Sequence, residues 1–373
     1  MPAPVARLDS PLIDVTRRRD SAASFIVETA DQGFWRVGDD TPAFVVRVPS
    51  ERFWHQLWSW DAYRTGLAFV NGAFDIEGDL VAALRLWGER RSRVTVMGLL
   101  RALLVRVRVE HWIQSPARAR RNIQFHYDRS NDFYRTFLDE RLVYSCAYFE
   151  RETDTLERAQ LAKLHHVCRK LDLVRGESFL DVGCGWGALV ALAAQDYGAG
   201  ALGCTLSREQ EAAARTMLSM RGLSDRARVE LVDYRQLHGT TFDKIASVGM
   251  VEHVGRSRLR AYFQTLARLV ADDGLVLNHG IVRPPHVVED AASLFLQHRV
   301  FPGGELPRHR DVVGRRVRRL RGAGCGESPA ALCADLPALG PAPAVASIRV
   351  PGDGLARDVP NMVALPGGIG CGL

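Results

Sequence analysis

The stretch Ser178-Phe-Leu-Asp-Val-Gly-Cys-Gly-Trp-Gly187 decides the fold. Its first five residues form a short pattern that suits a buried strand. Three glycines at alternate positions follow at once, and an apolar helical pattern runs from Ala188 to Ala194. Strand, glycine turn and helix in this order let the backbone approach a ligand closely. They also aim the free N–H groups of a helix N-terminus at it. A dinucleotide fingerprint would read G-x-G-x-x-G, whereas here the third glycine comes one residue early. Alone, the triplet is equally the mark of a tight turn.

Working outward, Asp154-Thr-Leu-Glu157 reads as a helix start, with an acid in the first turn. Leu161, Leu164, Cys168 and Leu171 then recur at helical spacing. Further strand candidates are 201–205, 229–232, 244–248 and 275–278, with helical stretches between most of them, one opening at Ser207 and one spanning 257–270. Strands alternating with helices predict an α/β, doubly wound, mostly parallel sheet. Ligands in such sheets lie at the carboxyl ends of the strands. That rule singles out 181–187, 205–207, Asp233 and Tyr234, 250–253 and His279.

The flanks differ in composition. Residues 1–120 read as a mainly helical domain carrying Trp35, Trp54, Trp58, Trp60 and Trp87, with helical spacing over 79–87. The stretch 94–113 mixes apolar residues with Arg101, Arg106 and Arg108, and Arg118 to Arg121 follow. It fits a helix lying on an anionic bilayer, or a core helix followed by an arginine-rich linker. Residues 121–313 form the α/β domain. The tail, 314–373, holds 11 Gly and 7 Pro and no Phe, Trp, Tyr, Lys, His, Thr or Gln. Such a segment buries little apolar surface, so disorder is expected. The abrupt change suggests a frameshift near residues 305–325.

The whole chain of 373 residues is 47% apolar and 25% charged, which excludes wholesale disorder and small disulfide scaffolds. Its net charge is +6, and of 49 basic residues only Lys163, Lys170 and Lys244 are lysine. A basic balance admits an anionic partner, but it is also what a solvated arginine-rich surface looks like. No apolar run reaches the ~18 residues of a spanning helix, and the N-terminus lacks a signal core, so a cytoplasmic location is expected. Seven cysteines without CxxC spacing suggest neither a disulfide framework nor a metal site.

The string Leu180-Asp-Val-Gly-Cys-Gly-Trp-Gly187 resembles the first motif of class I S-adenosylmethionine methyltransferases, a Rossmann-like fold. The flanking motifs narrow this. Phe125-His-Tyr-Asp-x-x-Asn-Asp-Phe133, Tyr144-Ser-Cys-Ala-Tyr-Phe149, Gly203-Cys-Thr-Leu-Ser-x-x-Gln210, Asp233-Tyr-Arg235, Ser247 to Gly255, Leu277-Asn-His-Gly-Ile281 and Phe301-Pro-x-Gly-x-Leu306 occur in order. Together they resemble the cyclopropane-fatty-acyl-phospholipid synthase family, which includes the mycolic acid cyclopropane synthases. Gly66 to Phe74 is similar, more loosely, to the N-terminal domain of its longer members.

The resemblance implies methyl(ene) transfer from S-adenosylmethionine to the cis double bond of unsaturated phospholipid acyl chains, giving cyclopropanes. It implies a bound bicarbonate as proton acceptor, held by Cys146 (through its backbone), Glu252, His279 and Ile281. It places Tyr144 and Ser145 at the methionine end of the cofactor and Asp181, Gly183 and Gly185 beneath it. Thr205, Leu206 and Gln210 are implied at the ribose, and Asp233 and Tyr234 at the adenine. No metal is expected. The same residues have plainer readings: Cys146 as a small buried residue, Glu252 as a solvated helix start, His279 as a core histidine. The family also carries a tyrosine near the bicarbonate, and this chain has no Tyr after Tyr262. Competing readings are a methyl- or methylene-branching relative and a damaged pseudoenzyme that only binds the cofactor. The expected partners are acyl chains at the inner membrane face, with a homodimer as a further candidate. Nucleic acid is not expected, since no base-methylation motif or binding module is present.

Overall fold

The computed structural model describes residues 24–31, 33–88, 131–283, 291–301, 304–313, 321–327 and 343–349. The arginine-bearing stretch 94–113, the run 118–121 and residues 125–130 of the first motif lie outside the described residues. The chain divides into two compact units, one of residues 1–108 with 288–300 and one of 109–287 with 301–373.

The first unit combines helices with a sheet that no motif announces. Strands β1 (Phe25–Thr29), β2 (Phe34–Val37), β3 (Phe44–Val48) and β4 (Asp75–Gly78) lie in the order β2-β1-β3-β4. Phe25, Val27 and Thr29 are buried while Ile26 and Glu28 are half-buried, the period of two that a one-sided sheet imposes. Three nine-residue helices accompany it: α1 (Glu51–Ser59), α2 (Ala62–Val70) and α3 (Leu80–Gly88). The first two begin where a side chain takes up a loose amide. Ser50 accepts from the Phe53 N–H at 3.2 Å and Asp61 from the Arg64 N–H at 2.8 Å. Phe25 stacks on Phe44 at 5.0 Å and meets Trp54, so the core is aromatic.

The second unit carries the expected α/β arrangement. Helix α4 (Leu156–Lys170) starts at Thr155, whose hydroxyl accepts from the Arg158 N–H. The glycine turn joins β5 (Ser178–Val182) to α5 (Ala188–Asp196). Then follow β6 (Gly200–Thr205), α6 (Arg208–Met220, capped by Ser207), β7 (Ala227–Leu231), β8 (Phe242–Val248), α7 (Val251–Val254), α8 (Leu259–Leu269) and β9 (Val270–Ile281). Pairings β5/β6, β6/β7, β5/β8 and β8/β9 are all parallel. The chain runs outward from β5 through β6 to β7, then reverses to β8 on the other side of β5. The β5/β8 boundary is therefore the switch point, where a crevice opens at the strands' carboxyl ends.

Of the tail, the structure describes only β10 (Arg321–Glu327) and β11 (Pro343–Arg349), and both are strands. β11 pairs antiparallel with β9 and with β10, giving the order β10-β11-β9-β8-β5-β6-β7. A backbone ladder asks little of side chains, so a Gly- and Ala-rich segment can cover the edge that β9 would otherwise expose. The rest of 314–373 lies outside the described residues.

Two apolar layers hold the sheet. Helix α5 is buried almost all round, through 189–194. Helix α8 presents Leu259, Tyr262, Phe263, Leu266 and Leu269. The buried Tyr262 hydroxyl donates to Asn278 Oδ1 at 2.7 Å and lies 2.7 Å from Ser247 Oγ, tying α8 to β8 and β9. An unpaired phenol here would lose its hydration without compensation.

Candidate active site

Asp181 and Val182 end β5, and the chain turns into the crevice. Gly185 has φ +55° and nothing within 4 Å of where a Cβ would stand, so the backbone there is open to a ligand. Gly187 has φ +81° and a Cβ on it would come within 3.1 Å of Ala214, so glycine allows α5 to pack against α6. Gly187 has no capping side chain, and Ala188 and Leu189 of the first turn line the cleft. Their amides are suited to a ligand's polar atoms.

The cleft has a cavity volume of about 130 Å³ and opens to solvent. Nine of the ten residues expected at the cofactor line it: Tyr144, Ser145, Asp181, Gly183, Gly185, Thr205, Leu206, Gln210 and Tyr234. Thr205 donates to Gln210 Oε1 at 2.8 Å, which fixes the amide at the end of β6. Asp233 does not line the cleft. Its carboxylate accepts from the Arg235 N–H at 3.0 Å and from the Arg235 guanidinium at 2.8 Å, shaping the turn that presents Tyr234.

Two titratable groups lie in the floor. Asp181 is 3% exposed and burial raises its carboxyl to about 7, against the opposing pull of Lys163. Lys163 is 1% exposed, burial lowers it to about 8, and its ammonium donates to Ser145 Oγ at 2.7 Å. No motif marks Lys163. Of the apolar residues at helical spacing, Leu164, Cys168 and Leu171 are buried as expected, and the buried face is wider than they mark. In the structure that face runs through Gln160, Lys163, Leu164, Val167 and Cys168, with Leu161 half-buried. The one available signal is compositional: a lysine in a chain that otherwise uses arginine.

The four residues expected around a bicarbonate do not line the open cleft. Glu252 lies on α7, buried, and Oε1 accepts from the Ile281 N–H at 2.7 Å. That amide, expected to face the bicarbonate, is thus directed to Glu252. Oε2 is buried and has no partner among the described residues. Burial raises this carboxyl to about 7, with the Ile281 and Glu252 amides pulling the other way. His279 is 2% exposed on β9, opposite Val248, and its carbonyl accepts from the Gly249 N–H at 2.9 Å. Cys146 is half-buried beside Ser145. The loop bearing Glu252 is pinned from the 301–313 segment. The Glu252 carbonyl accepts from the Glu305 N–H at 2.8 Å, and Glu305 in turn accepts from the Arg256 N–H at 2.9 Å. Arg256 pairs with Asp311 at 2.9 Å. That explains physically why Phe301 to Leu306 belongs with the site motifs. Among the described residues no cluster of His, Cys, Asp and Glu could hold a metal ion.

Residues 114–319 match the family model described as mycolic acid cyclopropane synthetase. A probable fatty acid methyltransferase of Pseudomonas putida is 40% identical over 278 residues, covering 72% of this chain and 67% of that protein. The cyclopropane synthase MmaA2 from Mycobacterium tuberculosis superposes with a TM-score of 0.53 at 32% identity, over 56% of this chain and 77% of that one. The mycolic acid cyclopropane synthase CmaA1, complexed with SAH and CTAB, gives 0.50 at 33% identity over the same shares. With this match spanning more than half of its length, the chain belongs to the mycolic acid cyclopropane synthetase family, and it is an enzyme of the S-adenosylmethionine-dependent methyltransferase class.

Proposed function

We propose that the protein converts cis double bonds in unsaturated phospholipid acyl chains to cyclopropanes. The observation that carries this reading is Glu252: a buried acid with one unpartnered oxygen, close to neutrality in its titration, beside the cleft of a methyl-donor fold. An amine methyltransferase has to remove a proton before or during attack. An alkene attacks first, and the proton leaves afterwards from the newly added carbon.

S-adenosylmethionine supplies the electrophilic methyl. The chain's residues fit it: Gly185 leaves backbone open to it, Asp181 offers an anion to its ammonium, and the amides opening α5 offer donors. The alkene pair forms the new C–C bond as the C–S bond breaks, leaving a cation on the second carbon. A C–H bond of the added methyl then gives its pair to close the ring, and its proton is taken up beside Glu252. Bicarbonate bound there would accept that proton, and the unpartnered Glu252 Oε2 leaves a polar position for it. Buried apolar walls keep water from capturing the cation.

A methyl- or methylene-branching outcome is the second reading, favoured by the long match to a probable fatty acid methyltransferase. Both reactions share every step up to the cation. No helix among the described residues is long and apolar enough to cross a membrane. The proposal has the lipid met at the bilayer surface because the substrate is a phospholipid. Residues 1–120 are assigned there to lipid contact and 121–313 to transfer.

The test is to incubate the protein with S-adenosylmethionine, bicarbonate and vesicles of unsaturated phospholipid, and to analyse the fatty acids by mass spectrometry and NMR. A gain of one CH2 with cyclopropane proton signals supports the reading. The same gain with methyl-branch or vinylidene signals moves the enzyme to the branching relatives. Cofactor binding without product contradicts the reading and points to the missing tyrosine.

A further inference from the structure

We propose that Lys163 holds the α-carboxylate at the amino-acid end of the cofactor, while Asp181 receives its ammonium. The inference rests on the reading that this cleft takes S-adenosylmethionine. Lys163 lines the same cleft as Ser145, Asp181, Gly183 and Gly185. Its ammonium has one hydrogen-bond partner, the Ser145 hydroxyl at 2.7 Å, and no ion-pair partner among the described residues. An ammonium has three donors, so two are left for a ligand. Asp139 and Asp181 act on this cation from beyond ion-pair distance, but no carboxylate among the described residues contacts it, and an apolar side chain would pack the same helix position better. A ligand carboxylate supplies what is lacking.

The surroundings are built to hold that geometry. Gln160, one turn earlier on α4, donates Nε2 to the carbonyls of Val143 at 3.1 Å and Ser145 at 2.9 Å. The loop carrying Ser145 is thereby fixed to the helix carrying Lys163. A compact ammonium also fits a confined floor that a forked guanidinium would not, which accounts for a lysine in an arginine-dominated chain. The cleft floor thus reads a zwitterion, with a cation and an anion on separate elements, α4 and β5.

The experiment is calorimetric titration of the full chain with S-adenosylhomocysteine and with its decarboxylated analogue, which lacks only the carboxylate. Wild-type protein is expected to prefer S-adenosylhomocysteine by about tenfold or more, the scale of a charge-assisted hydrogen bond. Lys163→Met is expected to abolish that preference and leave the analogue's affinity within about twofold. Lys163→Gln, which keeps a donor for Ser145, should behave like Lys163→Met and serves if the latter does not fold. An equal loss for both ligands in the variants overturns the proposal, because the lysine then serves only the fold. So does a wild-type protein that does not distinguish the two. If wild type binds neither ligand, the cofactor reading itself fails, a result distinct from binding without preference.

Discussion

Asp181 lies at the end of β5 and Glu252 follows the neighbouring parallel strand β8, and burial pushes both carboxyls up to about 7, yet their surroundings differ. The end of β5 is an open cleft with Lys163 acting on Asp181 from α4. After β8, Val248, Gly249 and Met250 line the same cleft but Glu252 does not, and only backbone amides pull its carboxyl back toward its ordinary value. A buried acid opposed by a buried cation is equipped to hold a charged ligand. A buried acid with no opposing cation exchanges its proton near neutral pH, which is what proton handling requires. Under the proposed function, this difference assigns ligand binding to Asp181 and proton handling to Glu252.

Four outcomes would break or sharpen that separation. The largest is at Glu252: Glu252→Gln should lower product formation by about a thousandfold in the lipid assay. Next is pH. Glu252 titrates at an ordinary 4.5 when unfolded and at about 7 when folded, so the folded state binds the extra proton between these values. Stability from this group is therefore complete below pH 4.5 and is lost as pH rises through about 7. The loss is on the order of 3 kcal/mol, and Asp181 adds a loss of the same sign. Denaturation of wild type and Glu252→Gln at pH 5 and pH 8 should show a smaller loss in the variant.

The third concerns Gly280. A Cβ there would collide with Val251 and stand 3.1 Å from Glu252 Oε2. Gly280→Ala should cost about 2 kcal/mol of stability by overpacking and lower turnover, with S-adenosylhomocysteine affinity kept, as thermal unfolding and calorimetry would show. The smallest is at the other acid. Asp181→Asn should weaken S-adenosylhomocysteine by about tenfold in calorimetry, the scale of one charge-assisted contact.

The central sheet was legible because its strands are covered on both faces. Ser178–Val182 reads as a short buried-strand pattern around Phe179, Leu180 and Val182, and the structure gives the same bounds. Thr155 and Ser207 mark their helix starts through local hydroxyl–amide bonds, which sequence alone can show. Nine of the ten residues that the resemblance implies at the cofactor line the cleft, and the strand-end rule independently singles out Asp181, Gly183, Gly185, Thr205, Leu206 and Tyr234 among them. Other features depend on contacts distant in sequence. The sheet of the first unit pairs Phe25 with Phe44 across a parallel register that no short window reveals. The helix read through Val270 ends one residue earlier, and the chain passes directly into β9. Lys163 was hidden because a polar residue on a buried helix face breaks the apolar spacing used to locate that face. The role of Ile281 needed the coordinates, since only they show its amide directed to Glu252.

The most direct test crosses the two acids with two readouts. Glu252→Gln and Asp181→Asn would each be measured for S-adenosylhomocysteine affinity and for CH2 transfer to unsaturated phospholipid. The expected result is that Glu252→Gln binds within about twofold of wild type but forms product about a thousandfold more slowly, while Asp181→Asn is weakened in binding and regains turnover at high cofactor concentration. A Glu252→Gln protein that forms product at close to the wild-type rate, or that loses cofactor affinity, would contradict the division of labour between the two acids.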